Sequence, residues 1–218
     1  MVTLNSEQTR TLISRALQSL ADRVAYLNEL DRATGDGDHG TTIARGVKSV
    51  LRDLEAAPPL NVNEVFIVVG KGMIKSMGGA SGILYGVFFR AAQNAPVTTQ
   101  LDRRTLSELL HLGLGSLQQK TKAEVGDKTM IDALVPALLA FDQAGTDSLS
   151  QALDAAAAAA EKGAESTVAM LAKFGRAKTL GERAVGTQDP GATSMALLFR
   201  GMAEAAAKLP DDPASGNG

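Results

Sequence analysis

Two aspartates separated by a single glycine, in the run "GDGDHG" at residues 35–40, are the densest chemistry in the chain, and one of its only two histidines, His39, stands beside them. Like charges this close repel unless a cation joins them. On a helix, side chains two positions apart point in different directions. A turn containing Gly35 and Gly37 can aim both carboxylates inward. Asp31, at the end of the preceding helical pattern, lies close enough to supply a third. Three carboxylates with no thiolate suit a hard cation, Mg²⁺ or Ca²⁺. The spacing is not that of an EF-hand, because no glutamate closes the loop and the glycines are misplaced. Mg²⁺ fits better, since it takes a few carboxylates and completes its shell with water and phosphate oxygens. A plainer alternative is that Asp36 or Asp38 caps the helix beginning near His39, with the rest a solvated turn.

Three further joints concentrate glycines, acids and hydroxyls: "MGGASG", "EVGDKTM" and "GTQDPGATS". Helix starts offer free backbone N–H groups and a dipole that attracts anions. Gly78 and Gly79 allow a phosphate to approach the backbone, and Ser81 can cap the next helix or touch the ligand. Asp127 reads as a helix N-cap with Thr129 in the first turn, and Asp189 precedes Pro190, which suits the first helical position. Arg176, Lys178 and Arg183 flank Gly175 and Gly181 and can pair with phosphate. Each joint also reads as an ordinary helix start or a solvated basic loop. If the anion is a nucleoside diphosphate, it and the three aspartates bring about six negative charges. One Mg²⁺ cancels about two of these and a pair about four, which favours two ions.

The elements that must carry these joints are helices. Ile13, Leu17, Leu20, Val24, Leu27 and Leu30 step by three and four, so a single amphipathic helix is expected from Ser6 to Leu30. The same spacing continues through Ile43, Val47, Val50, Leu51 and Leu54 until Pro58 and Pro59. Further helices are expected over Asn63–Met77, Ser81–Gln93, Arg104–Lys122, Asp127–Phe141, Leu149–Phe174 and Pro190–Lys208, making eight. "VFIVVGKG" is β-branched and runs into glycines, but Lys75 occupies the third glycine position of GxGxxG, and no second strand is available to pair with it. GxxxxGK[ST] is also absent. The alanine run "DAAAAAAEKGAES" reads as a closely packed buried helix. One domain over residues 1–210 and a disordered polar tail at 211–218 are expected.

Composition excludes several classes. Net charge is −2, aromatic content is 4 % and tryptophan is absent, so the chain offers neither the basic field nor the stacking platform of a nucleic-acid binder. Without cysteine there is no disulfide, thiolate metal site or thiol nucleophile, which fits a cytoplasmic location. No signal core or bilayer-length apolar run is present, so no membrane association is expected.

In order and spacing, "LDRATGDGDHG", "MGGASGILYGVFF", "EVGDKTMIDALVPAL" and "GRAKTLGERAVGTQDPGATS" resemble the nucleotide-binding L subunit of bacterial dihydroxyacetone kinases, over about Asn5 to Lys208. The resemblance implies an all-α barrel of eight antiparallel helices with ADP or ATP and two Mg²⁺ ions at one mouth. It implies Asp31, Asp36 and Asp38 as metal ligands. For the nucleotide it implies His39, Thr42, Gly79, Ala80, Ser81, Thr121, Thr129, Met130, Arg176, Asp189, Pro190 and Gly191. Thr42 stands where relatives often carry asparagine, and Thr121 where they carry glycine. It further implies a separate K subunit that holds dihydroxyacetone through a histidine, and no catalytic residue in this chain. A phosphotransferase-system phosphocarrier would recharge bound ADP, and a second copy of the chain is a further candidate partner. The alternatives are an ATP-dependent kinase subunit for a four-carbon ketose and a non-catalytic nucleotide-binding regulator.

Overall fold

A computed structural model describes residues 3–209; the expected tail at 211–218 lies outside them. Nine α-helices run through the described residues: α1 (Ser6–Ala21), α2 (Val24–Thr34), α3 (His39–Ala56), α4 (Val62–Ser76), α5 (Gly79–Arg90), α6 (Arg103–Gln118), α7 (Ile131–Gln143), α8 (Leu149–Ser166) and α9 (Pro190–Ala206). The fold is all-α, as expected, but the count exceeds eight because the helix expected over Ser6–Leu30 is two. The chain breaks at Asp22 and Arg23, where Gln18 Nε2 donates to Asp22 Oδ1 at 3.0 Å and Arg23 leaves helical geometry (φ −102°, ψ 20°). The apolar spacing runs on across the break, so nothing in the pattern marks it.

Starts are chosen by caps. Asn5, Asn61, Asp102, Ser148 and Asp189 each accept a backbone N–H from the first turn of the helix they precede. The helix expected to reach Phe174 stops at Ser166, where the Thr167 hydroxyl donates back to Ala164 O at 2.5 Å and a short 3₁₀ turn follows. Leu4–Asn5 and Gln100–Leu101 form a two-residue antiparallel pair, β1 and β2, too short to carry a strand signature.

Each helix packs on the next in sequence from α3 through α9. Helix α9 returns to α1, and α1 lies on α3. One continuous core lies among them, including Leu12, Leu17, Val47, Val69, Phe88, Leu134, Ala156 and Phe199. The alanines of α8 allow it to lie close to both neighbours: Ala152, Ala156, Ala157 and Ala160 are all fully buried. No helix among the described residues is long and apolar enough to cross a membrane. Residues of the α2–α3, α4–α5, α6–α7 and α8–α9 joints border one cavity, so these joints lie at one end.

Candidate nucleotide and metal site

At that end, Asp31 in the last turn of α2 is only 9 % exposed. Its Oδ2 accepts the N–H groups of Asp38 at 2.9 Å and His39 at 3.2 Å. A carboxylate from the preceding helix thus caps α3, and Asp38 makes no side-chain cap bond of its own. The capping alternative for Asp38 is thereby overturned. Gly35 is required here because a Cβ would strike Asp31 Oδ1, and Gly37 turns the chain at φ +78°. Asp31, Asp36 and Asp38 each offer a carboxylate oxygen, and these oxygens lie within 4.8 Å of one another.

The charges in the turn are mutually strained. Burial, then the charge of Asp36, pushes Asp38 above the usual carboxylate range. Burial pushes Asp36 the same way, but the Arg176 guanidinium, paired with its carboxylate, holds it below that range. An all-oxygen donor set, with one oxygen each from three carboxylates, fits Mg²⁺. Its ligands sit about 2.0–2.1 Å from the ion, so neighbouring oxygens on one ion lie about 3–4 Å apart.

A cavity of about 920 Å³ opens beside the turn. Asp31, Asp38, His39, Thr42, Gly79, Ala80, Ser81, Thr121, Thr129, Met130, Arg176, Asp189, Pro190 and Gly191 all border it. Asp36 does not; it faces a smaller hollow with Arg32 and Arg176. Helix α5 begins at Gly79 after Gly78 (φ +72°), with no side-chain cap on its first-turn N–H groups. A Cβ at either glycine would meet no atom within 4 Å, so the loop has open space beside it. Ser81 sits two positions into the helix instead of capping it. A free helix start bordering a cavity next to a carboxylate cluster suits the oxygens of a metal-bound phosphate.

The third joint differs from expectation. Helix α7 starts at Ile131, and Asp127 is not its cap: Asp127 Oδ2 accepts Glu124 N–H at 2.8 Å, and its Oδ1 pairs with Lys173 Nζ at 2.6 Å. The Lys173 ammonium holds Asp127 below the usual range. Inside the helix, Asp132 reaches back to accept Gly126 N–H at 2.5 Å and Thr129 N–H at 2.7 Å. At the fourth joint Asp189 caps α9 through Ala192 N–H at 2.7 Å with Pro190 first in the helix, as expected. Burial raises Asp189 to about 7 despite those backbone donors.

Several bordering residues gave no signal in sequence. Arg45 donates to Ser76 O at 2.6 Å and Met77 O at 2.5 Å, closing the end of α4 and tying the glycine loop to α3. Buried His39 bonds through Nε2 to Ser194 Oγ at 2.9 Å, and Tyr85 donates its hydroxyl to the same oxygen at 2.9 Å. Burial lowers the His39 pKa, favouring the neutral imidazole, and burial raises that of Tyr85. These links join α3, α5 and α9, which are remote in sequence. Only His39 had a local cue.

The DAK2 domain matches residues 33–204. The chain is 38 % identical over 208 residues to the Escherichia coli protein named PEP-dependent dihydroxyacetone kinase, ADP-binding subunit DhaL, covering 94 % of this chain and 99 % of that one. It is 38 % identical over 206 residues to the PTS-dependent DhaL of Lactococcus lactis, covering 94 % and 100 %. The dihydroxyacetone kinase of C. freundii, crystallised with AMP-PNP and Mg²⁺, superimposes with a TM-score of 0.71 at 31 % identity, over 94 % of this chain and 34 % of that longer one. The matched segment begins just before the acidic turn and runs into α9, so it contains Asp36, Asp38 and the other three joints. With a domain match over most of its length and near full-length relatives at this identity, the chain belongs to the DAK2 domain family.

Proposed function

We propose that this chain is the nucleotide-bearing subunit of a dihydroxyacetone kinase, with ADP held beneath two Mg²⁺ ions at the helical mouth. The observation that carries the reading is the convergence of Asp31, Asp36 and Asp38 on one point beside a cavity bordered by the start of α5. Its near full-length relatives are named as ADP-binding subunits, which supports the nucleotide. On this reading residues 1–210 are one domain, the closed circuit of neighbouring helices is a barrel, and the protein works in the cytoplasm.

Asp31, Asp36 and Asp38 would hold Mg²⁺, which when bound neutralises phosphate charge and orients the oxygens for transfer. The chain's own part is positioning. The Asp31 bonds to the N–H groups of Asp38 and His39 fix the turn, so the Asp36 and Asp38 carboxylates need not be organised when the ligand arrives. The N–H groups at the start of α5 supply donors for phosphate oxygens, and Arg176, exposed on its loop, supplies a movable cation. Thr42, Thr121, Thr129, Met130 and Asp189–Gly191 would form the remaining walls of the nucleotide pocket. No nucleophile or base for a sugar is assigned here, so the sugar comes from a separate K subunit docked at the mouth. The PEP- and PTS-dependent names of the near full-length relatives favour a phosphocarrier as the source of the phosphoryl group.

The test is to extract the purified protein with heat and acid and chromatograph the supernatant. The protein is then mixed with a K subunit, dihydroxyacetone and either a charged phosphocarrier or ATP. Bound ADP, and sugar phosphate formed only with both subunits, is the expected result. Bound nucleotide without turnover from any donor would leave a regulatory module, and no nucleotide would refute the reading.

A further inference from the structure

Lys128 is the one non-glycine residue among those described that adopts a left-handed backbone, at φ +61°. Lysine has no local preference for that conformation, which asparagine, aspartate and glycine tolerate best. Its side chain is also buried, at 1 % exposure, in a class of residue almost never fully buried without partners. Two unfavourable features at one position call for a compensating interaction.

The ammonium supplies it. Lys128 Nζ donates to Thr167 O at 2.7 Å and to Thr187 O at 2.6 Å. These carbonyls belong to two other segments: Thr167 opens the 3₁₀ turn after α8, and Thr187 lies two residues before the α9 cap. The Thr167 hydroxyl oxygen in turn accepts Asp189 N–H at 2.9 Å, so the cap residue is held from the same point. Lys128 itself is clamped by Asp132, which binds the N–H groups of Gly126 and Thr129 on either side of it. Lys128, Thr129, Met130 and Asp189–Gly191 all border the cavity. Charge-assisted bonds to carbonyls in a buried setting are stronger than neutral ones; without the ammonium Thr167 O keeps only the Met170 N–H at 3.1 Å, and Thr187 O loses its charged donor.

We propose that Lys128 is a positioning residue for the nucleotide: its buried ammonium fastens the Thr167 and Thr187 carbonyls to the Asp127–Met130 segment, and so holds Asp189–Gly191 beside Met130 in the cavity wall, where Gly191 packs against Met130. This rests on the nucleotide reading of the cavity. Loss of the ammonium frees the α9 start to shift relative to Met130, and losing one charge-assisted bond corresponds to about tenfold or more in an equilibrium constant.

The chain has no cysteine, which permits a chemical rescue. Lys128→Cys is unfolded, alkylated with 2-bromoethylamine to restore an ammonium on a near-isosteric stem, and refolded. A second portion is capped with a neutral alkyl group, and the parent protein is carried through the same cycle. Lys128→Asn, which tolerates the left-handed backbone, is made alongside. Circular dichroism and melting report folding, and calorimetry with ADP and Mg²⁺ reports affinity. The expected result is at least a tenfold loss of ADP affinity in Lys128→Asn and in the neutral-capped chain, with helical content retained. The aminoethylated chain should return to within about threefold of the refolded parent. Equal affinity of the aminoethylated and neutral-capped chains, or ADP binding by Lys128→Asn within twofold of the parent, would overturn the proposal while leaving the nucleotide reading intact. A parent protein that binds no ADP would overturn both.

Discussion

Replacing Gly70 by alanine tests how closely α4 and α5 must approach, and the outcome can be worked from geometry. Gly70 is buried where α4 crosses α5, and a Cβ there would lie 2.5 Å from Arg90 N and 2.6 Å from Gly86 O. Both are backbone atoms, so no rotamer change can relieve the clash. Bringing the methyl to an ordinary contact near 3.4 Å requires the helices to part by about 0.8 Å. Overpacking of this kind costs ~1–3 kcal/mol, partly offset by up to ~1 kcal/mol of improved helix propensity, for a net loss of up to ~2 kcal/mol. For a chain of this size that lowers Tm by up to about 8 °C. Gly115, in α6, is the control, because a Cβ there meets nothing within 4 Å. Gly115→Ala keeps only the propensity gain and raises Tm by about 1–4 °C. Thermal melts of the parent and both variants, followed at the helical circular dichroism band, measure the pair of opposite signs. A rise in Tm for both would refute the packing argument, since propensity alone would then govern both sites.

Removing either exposed acid of the turn, by Asp36→Ala or Asp38→Ala, should abolish retention of Mg²⁺-dependent nucleotide through gel filtration while leaving the helical spectrum near normal; retained ADP in both variants counts against metal ligation here. Asp31→Ala should in addition destabilise the fold by ~2 kcal/mol, because two backbone N–H groups at the start of α3 lose a charged acceptor, and Asp31→Asn, which keeps one acceptor, by about half as much in denaturant titrations. For Asp189, raised from 3.8 to about 7, the folded state favours the protonated form, so its contribution to stability is fully present below about pH 4 and is lost as pH rises through about 7. Between those limits the parent should therefore lose up to ~4 kcal/mol relative to Asp189→Asn, measured as the difference between their unfolding free energies in nucleotide-free protein; parallel pH profiles would show that the carboxyl is not held neutral.

What could be read in the sequence was local. The acids of the turn announced themselves because their spacing is unsuited to a helix and their glycines suit a turn, and the Asp189–Pro190 start was legible because cap and first-position residues are adjacent. Two local readings failed for tertiary reasons. Asp127 has the form of an N-cap, but Lys173, far along the chain, pairs with it, and Asp132 draws the preceding N–H groups inward so that α7 begins later. The Asp22–Arg23 break follows no proline or glycine, and the apolar register continues through it. Lys128, Arg45 and the Tyr85–Ser194–His39 links depend on atoms brought together only by folding. Lysine at a left-handed position runs against local preference, so no propensity argument could have found it.

The tiny β1–β2 pairing has a practical corollary. It anchors Leu4 and Asn5 beside the α5–α6 connection, and α9 begins at the mouth and runs away from it, so Thr3 and Leu209 both lie at the end away from the cavity. A fluorophore, affinity handle or surface tether attached at either position would stand clear of incoming proteins, so docking kinetics at the open rim can be recorded on an immobilised sample without the attachment shadowing the approach.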